Sequence, residues 1–156
     1  MFDVEKLRRN SEPILEYLEA SKAKTDRFME RFYGYKLDHG VSEKIKKRAG
    51  DAVVFVFSAE WCPDCYRNVP VLALIHEATG LEVRVFGHIM RDPKSDTRKW
   101  AVPPSPREVE EFKVAKIPYI VVLSPKGEKL GEVVENPRPG LTLEEELLGI
   151  LEKPAR

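Results

Sequence analysis

The chain has 156 residues, of which 42% are hydrophobic and 33% are charged, a composition typical of one globular domain with its own hydrophobic core. Lysine plus arginine and aspartate plus glutamate each total 26, so the net charge gives no support for a nucleic-acid-binding or membrane-binding protein. The first residues contain no apolar segment of the kind that directs secretion, and no apolar stretch reaches membrane-spanning length, so we expect a cytoplasmic protein.

Residues 1–50 are predicted to be helical and to form an extension packed on the domain that follows. Leu7, Ile14, Leu15 and Leu18 fit one amphipathic segment, with Pro13 near a helix start. A second segment carries its apolar residues at helical spacing and can end at Gly34, and a third runs from about Ser42 to Gly50. Core packing is the preferred interpretation of the aromatic residues in the second segment, and a partner site is the alternative; these residues are Phe28, Met29, Phe32 and Tyr33.

The central feature of the sequence is the motif Trp61-Cys62-Pro63-Asp64-Cys65. It follows an apolar run at 53–57, which predicts a buried strand, and it precedes a helical pattern that extends to about Gly80. Proline favours the first position of a helix, so Cys62 is predicted at the N-cap, where unpaired N–H groups and the helix dipole stabilise a thiolate. Cys65 is one turn further along, within disulfide reach. This arrangement is typical of a redox-active dithiol.

Two other functions of a C-x-x-C pair, a zinc site and a structural disulfide, fit this sequence less well. A zinc site needs two further ligands, but the chain has no third cysteine and its histidines, His39, His76 and His88, are not paired at ligand spacing. A structural disulfide across one helical turn removes little chain entropy and therefore contributes little stability. No metal and no cofactor are expected.

The second half of the chain predicts further strands and helices. Residues 81–89 predict a strand parallel to the first, through a helical crossover. A charged, proline-rich loop at 91–106 contains Trp100. This residue either anchors the loop through hydrophobic packing or forms one edge of a substrate groove. A short helix is predicted from Ser105 to Val114, with Glu108 as part of a capping box. Strands at 119–123 and 130–135 are predicted to form an antiparallel hairpin, and a last helix to begin near Thr142.

Over about residues 51–153 the sequence resembles the thioredoxin superfamily. Besides the cysteine motif, Pro70 matches the helix-kinking proline of thioredoxins, and Ile117-Pro118 matches the cis-proline that faces their active site. The resemblance implies an α/β fold with a four-stranded mixed sheet flanked by helices. One position departs from the family: thioredoxins keep a buried aspartate six residues before the first cysteine, and here that residue is Val56. Proton transfer to and from Cys65 must then use water or another group.

The function that this resemblance implies is thiol-disulfide exchange with protein substrates. Cys62 is expected to attack the substrate disulfide and Cys65 to resolve the mixed disulfide. The residues expected to contact substrate are Trp61, Pro63, Asp64, Ile117 and Pro118. The expected partners are protein disulfides and an upstream reductase, and the chain is expected to be a monomer. Two alternatives are a reductase of small oxidised thiols or peroxides and a non-catalytic binding module.

The amide content qualifies the expected redox state. The chain has no glutamine and only three asparagines, and charged residues are abundant, a pattern typical of thermophilic proteins. A mesophilic cytoplasm keeps thiols reduced, whereas thermophilic cytosols can hold disulfides. The direction of electron flow therefore stays open on the sequence alone.

Overall fold

The structure of the chain is a computed structural model that describes residues 1–90 and 103–153. Trp100 and most of the 91–106 loop lie outside the described residues, so the two interpretations of Trp100 stay predictions. The α/β fold class predicted from the sequence is confirmed.

In the described part of the chain the sheet has five strands, not the four expected. They are β1 Glu12–Pro13, β2 Val53–Phe57, β3 Glu82–Phe86, β4 Tyr119–Leu123 and β5 Lys129–Val134. Their order across the sheet is β1-β3-β2-β4-β5, with β2 and β3 parallel and the other pairs antiparallel. Every residue of β2 and β4 is buried, as expected of central strands with near-continuous apolar sequences.

The additional strand comes from the segment predicted to be a single helix between Leu7 and Leu18. That segment forms two helices, α1 Val4–Asn10 and α2 Ile14–Ser21, with β1 between them. Pro13 has no N–H to donate, and its φ of −58° and ψ of 142° place it outside the helical region. The residue before a proline also disfavours helix, so the chain extends at Glu12 and pairs with β3, which makes β1 the edge strand.

The remaining helices mostly follow the predictions. They are α3 Arg27–Gly34, α4 His39–Lys46, α5 Pro63–Thr79, α6 Glu108–Glu111 and α7 Leu143–Leu151. Gly34 ends α3 as predicted, and Thr142 caps α7 in a capping box with Glu145. α4 begins earlier than predicted because the Asp38 carboxylate accepts the N–H of Val41.

The helix expected from Ser105 to Val114 is wrong in its extent, since α6 has only four residues. The Ser105 hydroxyl does not cap it; Oγ accepts the N–H of Met90 at 2.7 Å. Glu108, expected in a capping box, is buried and its Oε2 accepts a hydrogen bond from Asn10 Nδ2 at 2.9 Å. Tertiary contacts with α1 and with the segment after β3 therefore replace the local cap.

The N-terminal helices contact the rest of the fold through buried aromatic and polar groups. Phe28 is fully buried and packs edge-to-face against Tyr17 and Tyr66, whereas Tyr33 at the other end of α3 is 78% exposed. Glu144 of α7 is also fully buried; its carboxylate accepts the Tyr35 hydroxyl at 2.8 Å and the Asp38 N–H at 3.0 Å. The first 50 residues thus contribute to both the core and the edge of the sheet.

Candidate active site

Cys62 lies between β2 and α5, at the N-cap of α5. Its φ of −95° and ψ of 118° are extended, and its Sγ accepts the backbone N–H of Cys65 at 3.2 Å. Pro63 occupies the first turn, where a missing N–H removes no helical hydrogen bond. The sulfur therefore takes the place that a serine or aspartate oxygen usually takes at a helix N-terminus.

The pKa of Cys62 is lowered from its ordinary value. The largest cause is a hydrogen bond from the Cys65 side chain, followed by the opposing effect of burial, then by the backbone N–H groups of Cys65 and Asp64. The Asp64 carboxylate acts in the opposite direction through its charge. The donors outweigh burial and charge, so Cys62 forms its thiolate more readily than an ordinary cysteine does.

Cys65 has the opposite character. It is fully buried, and burial raises the pKa of its thiol strongly, with the Cys62 side chain raising it further. The Ala59 N–H and the Ser58 hydroxyl both stabilise its thiolate, but they do not offset burial. In the reduced protein Cys65 is therefore a protonated thiol that donates to the Cys62 sulfur.

The residues expected to contact substrate surround Cys62. Trp61 is 45% exposed, and its Nε1–H donates to the Ile89 carbonyl at 3.0 Å, which fixes the ring beside the motif. The peptide bond between Ile117 and Pro118 is cis, as the resemblance implied. The Cys62 thiol donates to the Ile117 carbonyl at 3.8 Å, so this loop lies directly against the sulfur.

Pro63 and Asp64 lie on the first turn of α5. Pro63 is exposed, and Asp64 Oδ1 accepts a hydrogen bond from Arg67 Nη1 at 3.2 Å. Arg67 also reaches the Asn136 side chain after β5, at 3.3 Å. Because the Asp64 carboxylate is paired with a guanidinium, its repulsion of the neighbouring thiolate is reduced.

Sequence reasoning missed a group of polar residues that lies behind Cys65. The Tyr17 hydroxyl, on α2, is 3.0 Å from Ser58 Oγ and donates to Glu60 Oε2 at 2.7 Å. Glu60 Oε1 is 2.8 Å from His88 Nδ1 and accepts from Lys24 Nζ at 3.2 Å. No periodic pattern marks single polar residues as members of a site, and Tyr17 is separated from the motif by more than forty residues of sequence.

His76 lies in the last turn of α5, not among these polar residues. Its Nδ1 is 2.8 Å from the Leu81 carbonyl at the end of α5, as expected of a residue with a structural role. Across residues 1–90 and 103–153, no three His, Cys, Asp or Glu side chains are grouped so that they could hold a metal ion. No helix in the same ranges is long and apolar enough to cross a membrane.

Comparisons with known proteins agree with the fold. An HIV epitope-scaffold matches with a TM-score of 0.68 at 16% identity, covering 99% of this chain and 100% of its own. A protein of unknown function from Pseudomonas aeruginosa matches with a TM-score of 0.61 at 16% identity, covering 97% of this chain and 91% of its own. No curated protein matches. A thioredoxin family model matches residues 11–147, which is most of the chain including β1, α2 and the cysteine pair, and the chain therefore belongs to the thioredoxin family.

Proposed function

We propose that this chain is a thiol-disulfide oxidoreductase that exchanges the Cys62/Cys65 dithiol with disulfides of protein substrates. The observation that carries the proposal is the difference between the two sulfurs. Cys62 accepts hydrogen bonds at a helix N-terminus and has a lowered pKa, whereas Cys65 is fully buried and has a raised one. A nucleophile and a resolving thiol need these opposite properties.

The exchange proceeds in two steps. The Cys62 thiolate attacks one sulfur of the substrate disulfide; a Cys62–substrate bond forms and the other substrate sulfur leaves as a thiolate. Cys65 then loses its proton and attacks Cys62 Sγ, so the intramolecular disulfide forms and the second substrate sulfur leaves. The dithiol gives up two electrons and two protons, and the substrate gains them as two thiols. An upstream dithiol reductant returns the chain to its reduced form.

Two features favour a protein substrate. Trp61 and Pro63 present exposed apolar surface on the two sides of Cys62. The Ile117–Pro118 segment lies against the sulfur and leads into β4, so an extended peptide with its disulfide at Cys62 is placed beside a backbone edge. In this proposal Asp64 and Arg67 contribute a paired charge at the rim of the docking surface.

A second candidate function is supported by a cavity beside Trp61. It has a volume of about 200 Å³ and is lined by Glu60, His88, Ile89 and Met90, among others. A small oxidised thiol held there would lie beside Trp61, next to Cys62 in sequence, so reduction of low-molecular-weight disulfides is the alternative activity. A third possibility is a binding module without redox activity. A measurement of disulfide reduction distinguishes such a module from both enzymes.

The test is reduction of insulin in the presence of dithiothreitol, followed as precipitation of the freed insulin chains. We expect the wild-type chain to accelerate precipitation over dithiothreitol alone, and both Cys62→Ser and Cys65→Ser to lose most of that acceleration. Tyr33→Phe is a matched surface control because its side chain is 78% exposed on α3. A wild-type chain with no effect on insulin would contradict the protein-disulfide activity.

The cellular setting belongs to the same proposal. A dithiol that works as a reductant requires a compartment that keeps it reduced, and the cytoplasm provides one. If the source is thermophilic, as the amide content predicts, the pair can instead work toward oxidation. The reduction potential of the pair separates these two directions, since reducing and oxidising members differ by tens of millivolts or more.

A further inference from the structure

The second step of the proposed exchange needs a base for Cys65. In the reduced protein this thiol is fully buried with a raised pKa, so it does not lose its proton to water directly. The position at which thioredoxins carry a buried aspartate is Val56, a fully buried side chain of β2. A different route for the proton is therefore required, and the polar residues behind Cys65 provide one.

These residues form a continuous series of hydrogen bonds from Ser58, which affects the buried thiol, to His88 at the surface. The Ser58 side chain lowers the pKa of the Cys65 thiol, and its Oγ is 3.0 Å from the Tyr17 hydroxyl. Tyr17 donates to Glu60 Oε2 at 2.7 Å, and Glu60 Oε1 is 2.8 Å from His88 Nδ1. Ser58 and Cys65 are 0% exposed and Tyr17 is 2%, whereas the His88 side chain is 50% exposed. This series of polar groups thus leads from the buried thiol to the exposed His88 side chain.

Resting on the proposed function, we infer that Ser58, Tyr17 and Glu60 form a proton relay that deprotonates Cys65 during resolution of the mixed disulfide, in place of the missing aspartate. Ser58 is the member of the relay that stabilises the reacting sulfur as a thiolate, and Tyr17 and Glu60 act through Ser58. The N-terminal extension, through Tyr17 on α2, is then part of the catalytic apparatus.

The proton balance of the relay follows from the donors. In the mixed disulfide, before the proton moves, the Cys65 thiol donates to Ser58 Oγ, the Ser58 hydroxyl donates to Tyr17, and Tyr17 donates to the Glu60 carboxylate. Three concerted shifts move one proton from each group to the next and leave a Cys65 thiolate and a protonated Glu60. Every hydrogen bond then points the other way, with Ser58 donating to the thiolate. The sulfur attacks Cys62, and Glu60 releases the proton through His88.

The step becomes favourable when Cys62 is bound to substrate. Burial is the largest cause of the raised pKa of Cys65, and the hydrogen bond to Cys62 and the Cys62 charge follow it. In a mixed disulfide the Cys62 sulfur carries no charge. The hydrogen bond to the Cys62 thiolate and the repulsion by its charge, which both raise the pKa of Cys65, are then lost. The Ala59 N–H and the Ser58 hydroxyl remain as donors to the thiolate.

The surroundings of Tyr17 and Glu60 fit a relay. Burial raises the pKa of Tyr17 first of all, and Glu60 and the Cys65 sulfur raise it further, so the hydroxyl stays protonated and passes protons on. Glu60 is faced by Lys24 and His88, and Glu12 is close enough for the two carboxylates to affect each other. Burial raises the pKa of Glu60, but the hydrogen bonds from Tyr17 and His88 outweigh it and keep the carboxylate ionised and ready to accept.

Two backbone features hold this geometry. His88 has a φ of 62°, in the left-handed region, and this conformation lets its N–H and its ring both reach Glu60, the N–H at 3.2 Å from Oε2. Gly87 lies beneath Tyr17, where a Cβ would come within 2.5 Å of the ring carbon Cε1. A side chain at position 87 would therefore displace the tyrosine.

The test separates the two steps with an equimolar aromatic disulfide, 5,5′-dithiobis(2-nitrobenzoate), mixed rapidly with the reduced chain. Attack by Cys62 releases one thionitrobenzoate, and resolution by Cys65 releases the second. We expect Tyr17→Phe to leave the first phase unchanged and to slow the second by about 100-fold at neutral pH. The deficit should shrink as pH rises, because hydroxide then takes the Cys65 proton directly.

A second relay variant and a matched control complete the test. Glu60→Gln keeps an acceptor for Tyr17 but cannot take up a proton, so it should slow the second phase in the same way and add nothing to Tyr17→Phe. Tyr35→Phe is the matched control, since it removes a tyrosine hydroxyl bonded to a buried glutamate far from the cysteines. A wild-type chain without a second phase would overturn the proposed function. A normal wild-type second phase that Tyr17→Phe leaves unchanged, or slows equally at every pH, would overturn the relay alone.

Discussion

The acidity of Cys62 depends on one side chain more than on any other, because the hydrogen bond from Cys65 is the largest cause of its lowered pKa. We therefore expect Cys65→Ala to raise the pKa of Cys62, while Cys65→Ser, which keeps a donor, changes it less. Alkylation of the reduced wild type by iodoacetamide at about pH 7 should modify Cys62 first. As pH falls through the lowered pKa the labelling rate should fall, and this midpoint should lie below that of an ordinary cysteine.

The measurement is the ultraviolet absorbance of the thiolate against pH for the three proteins, with mass spectrometry to locate the label. Cys62→Ser is the control that removes the titration at low pH. Labelling of Cys65 before Cys62, or the same midpoint for wild type and Cys65→Ala, would show that the hydrogen bond between the two sulfurs does not set the acidity.

Val56 provides a second prediction at the scale of single residues. It is fully buried on β2 between Val85 and Ile120 on the neighbouring strands. Both cross-strand neighbours are aliphatic and offer an aspartate no ion pair, so Val56→Asp should lower the free energy of unfolding by about 3 kcal/mol at neutral pH. Burial raises the pKa of such a carboxyl, so the loss of stability should be small in acid and grow as pH rises.

The same substitution should restore part of the second-phase rate when it is combined with Tyr17→Phe, because it returns a proton acceptor to the position that thioredoxins use. Val54→Asp is the matched control: it lies two residues earlier on the same strand, is also fully buried, and should destabilise without rescue. Urea denaturation between acid and neutral pH and the aromatic-disulfide assay together check both effects. Equal rescue by the two variants would argue against a specific role of position 56.

At the scale of elements, the sequence predicted the strands at 53–57 and 119–123 with their observed limits because both are short apolar runs buried on both faces. It predicted the cysteine pair at the start of α5 because proline and the strand before it fix the helix start. It missed β1 because two residues carry no alternation pattern, and pairing with β3 is a tertiary contact. Tyr17, Ser58 and Glu60 were missed for the same reason: only the tertiary packing of α2 against the segment after β2 brings them together.

The contact between α2 and the end of β3 leads to a prediction about that packing. Gly87→Ala would place a Cβ within 2.5 Å of the Tyr17 ring, and overpacking of this kind costs about 1–3 kcal/mol. We expect a lower melting temperature and a slower second phase, since the Tyr17 hydroxyl must move away from Ser58 and Glu60. Gly149→Ala on α7 is the control, because no atom lies within 4 Å of its added Cβ. Unchanged stability in Gly87→Ala would mean that α2 tolerates the displacement.

At the scale of the whole molecule, the first 50 residues and the cysteine domain are connected at several places. β1 extends the sheet beside β3, Phe28 packs against Tyr66 of α5, and Glu144 of α7 holds Tyr35 and Asp38. In the proposed relay, proton transfer through Tyr17 links the two parts in addition to these packing contacts and hydrogen bonds. In the proposed function, the substrate disulfide approaches Cys62 from the side of Trp61 and Ile117, and this side would determine which disulfides are exchanged.

Capture of the substrate in cells tests that side directly. Cys65→Ser lacks the resolving thiol, so a mixed disulfide formed by Cys62 should persist. Isolated without reductant, this variant should carry protein adducts that appear as high-mass bands and collapse with dithiothreitol. The double variant Cys62→Ser/Cys65→Ser is the control and should carry none. If Cys62 instead gains only the mass of a small thiol, the protein-substrate proposal fails, and the cavity beside Trp61 becomes the binding site of a small disulfide.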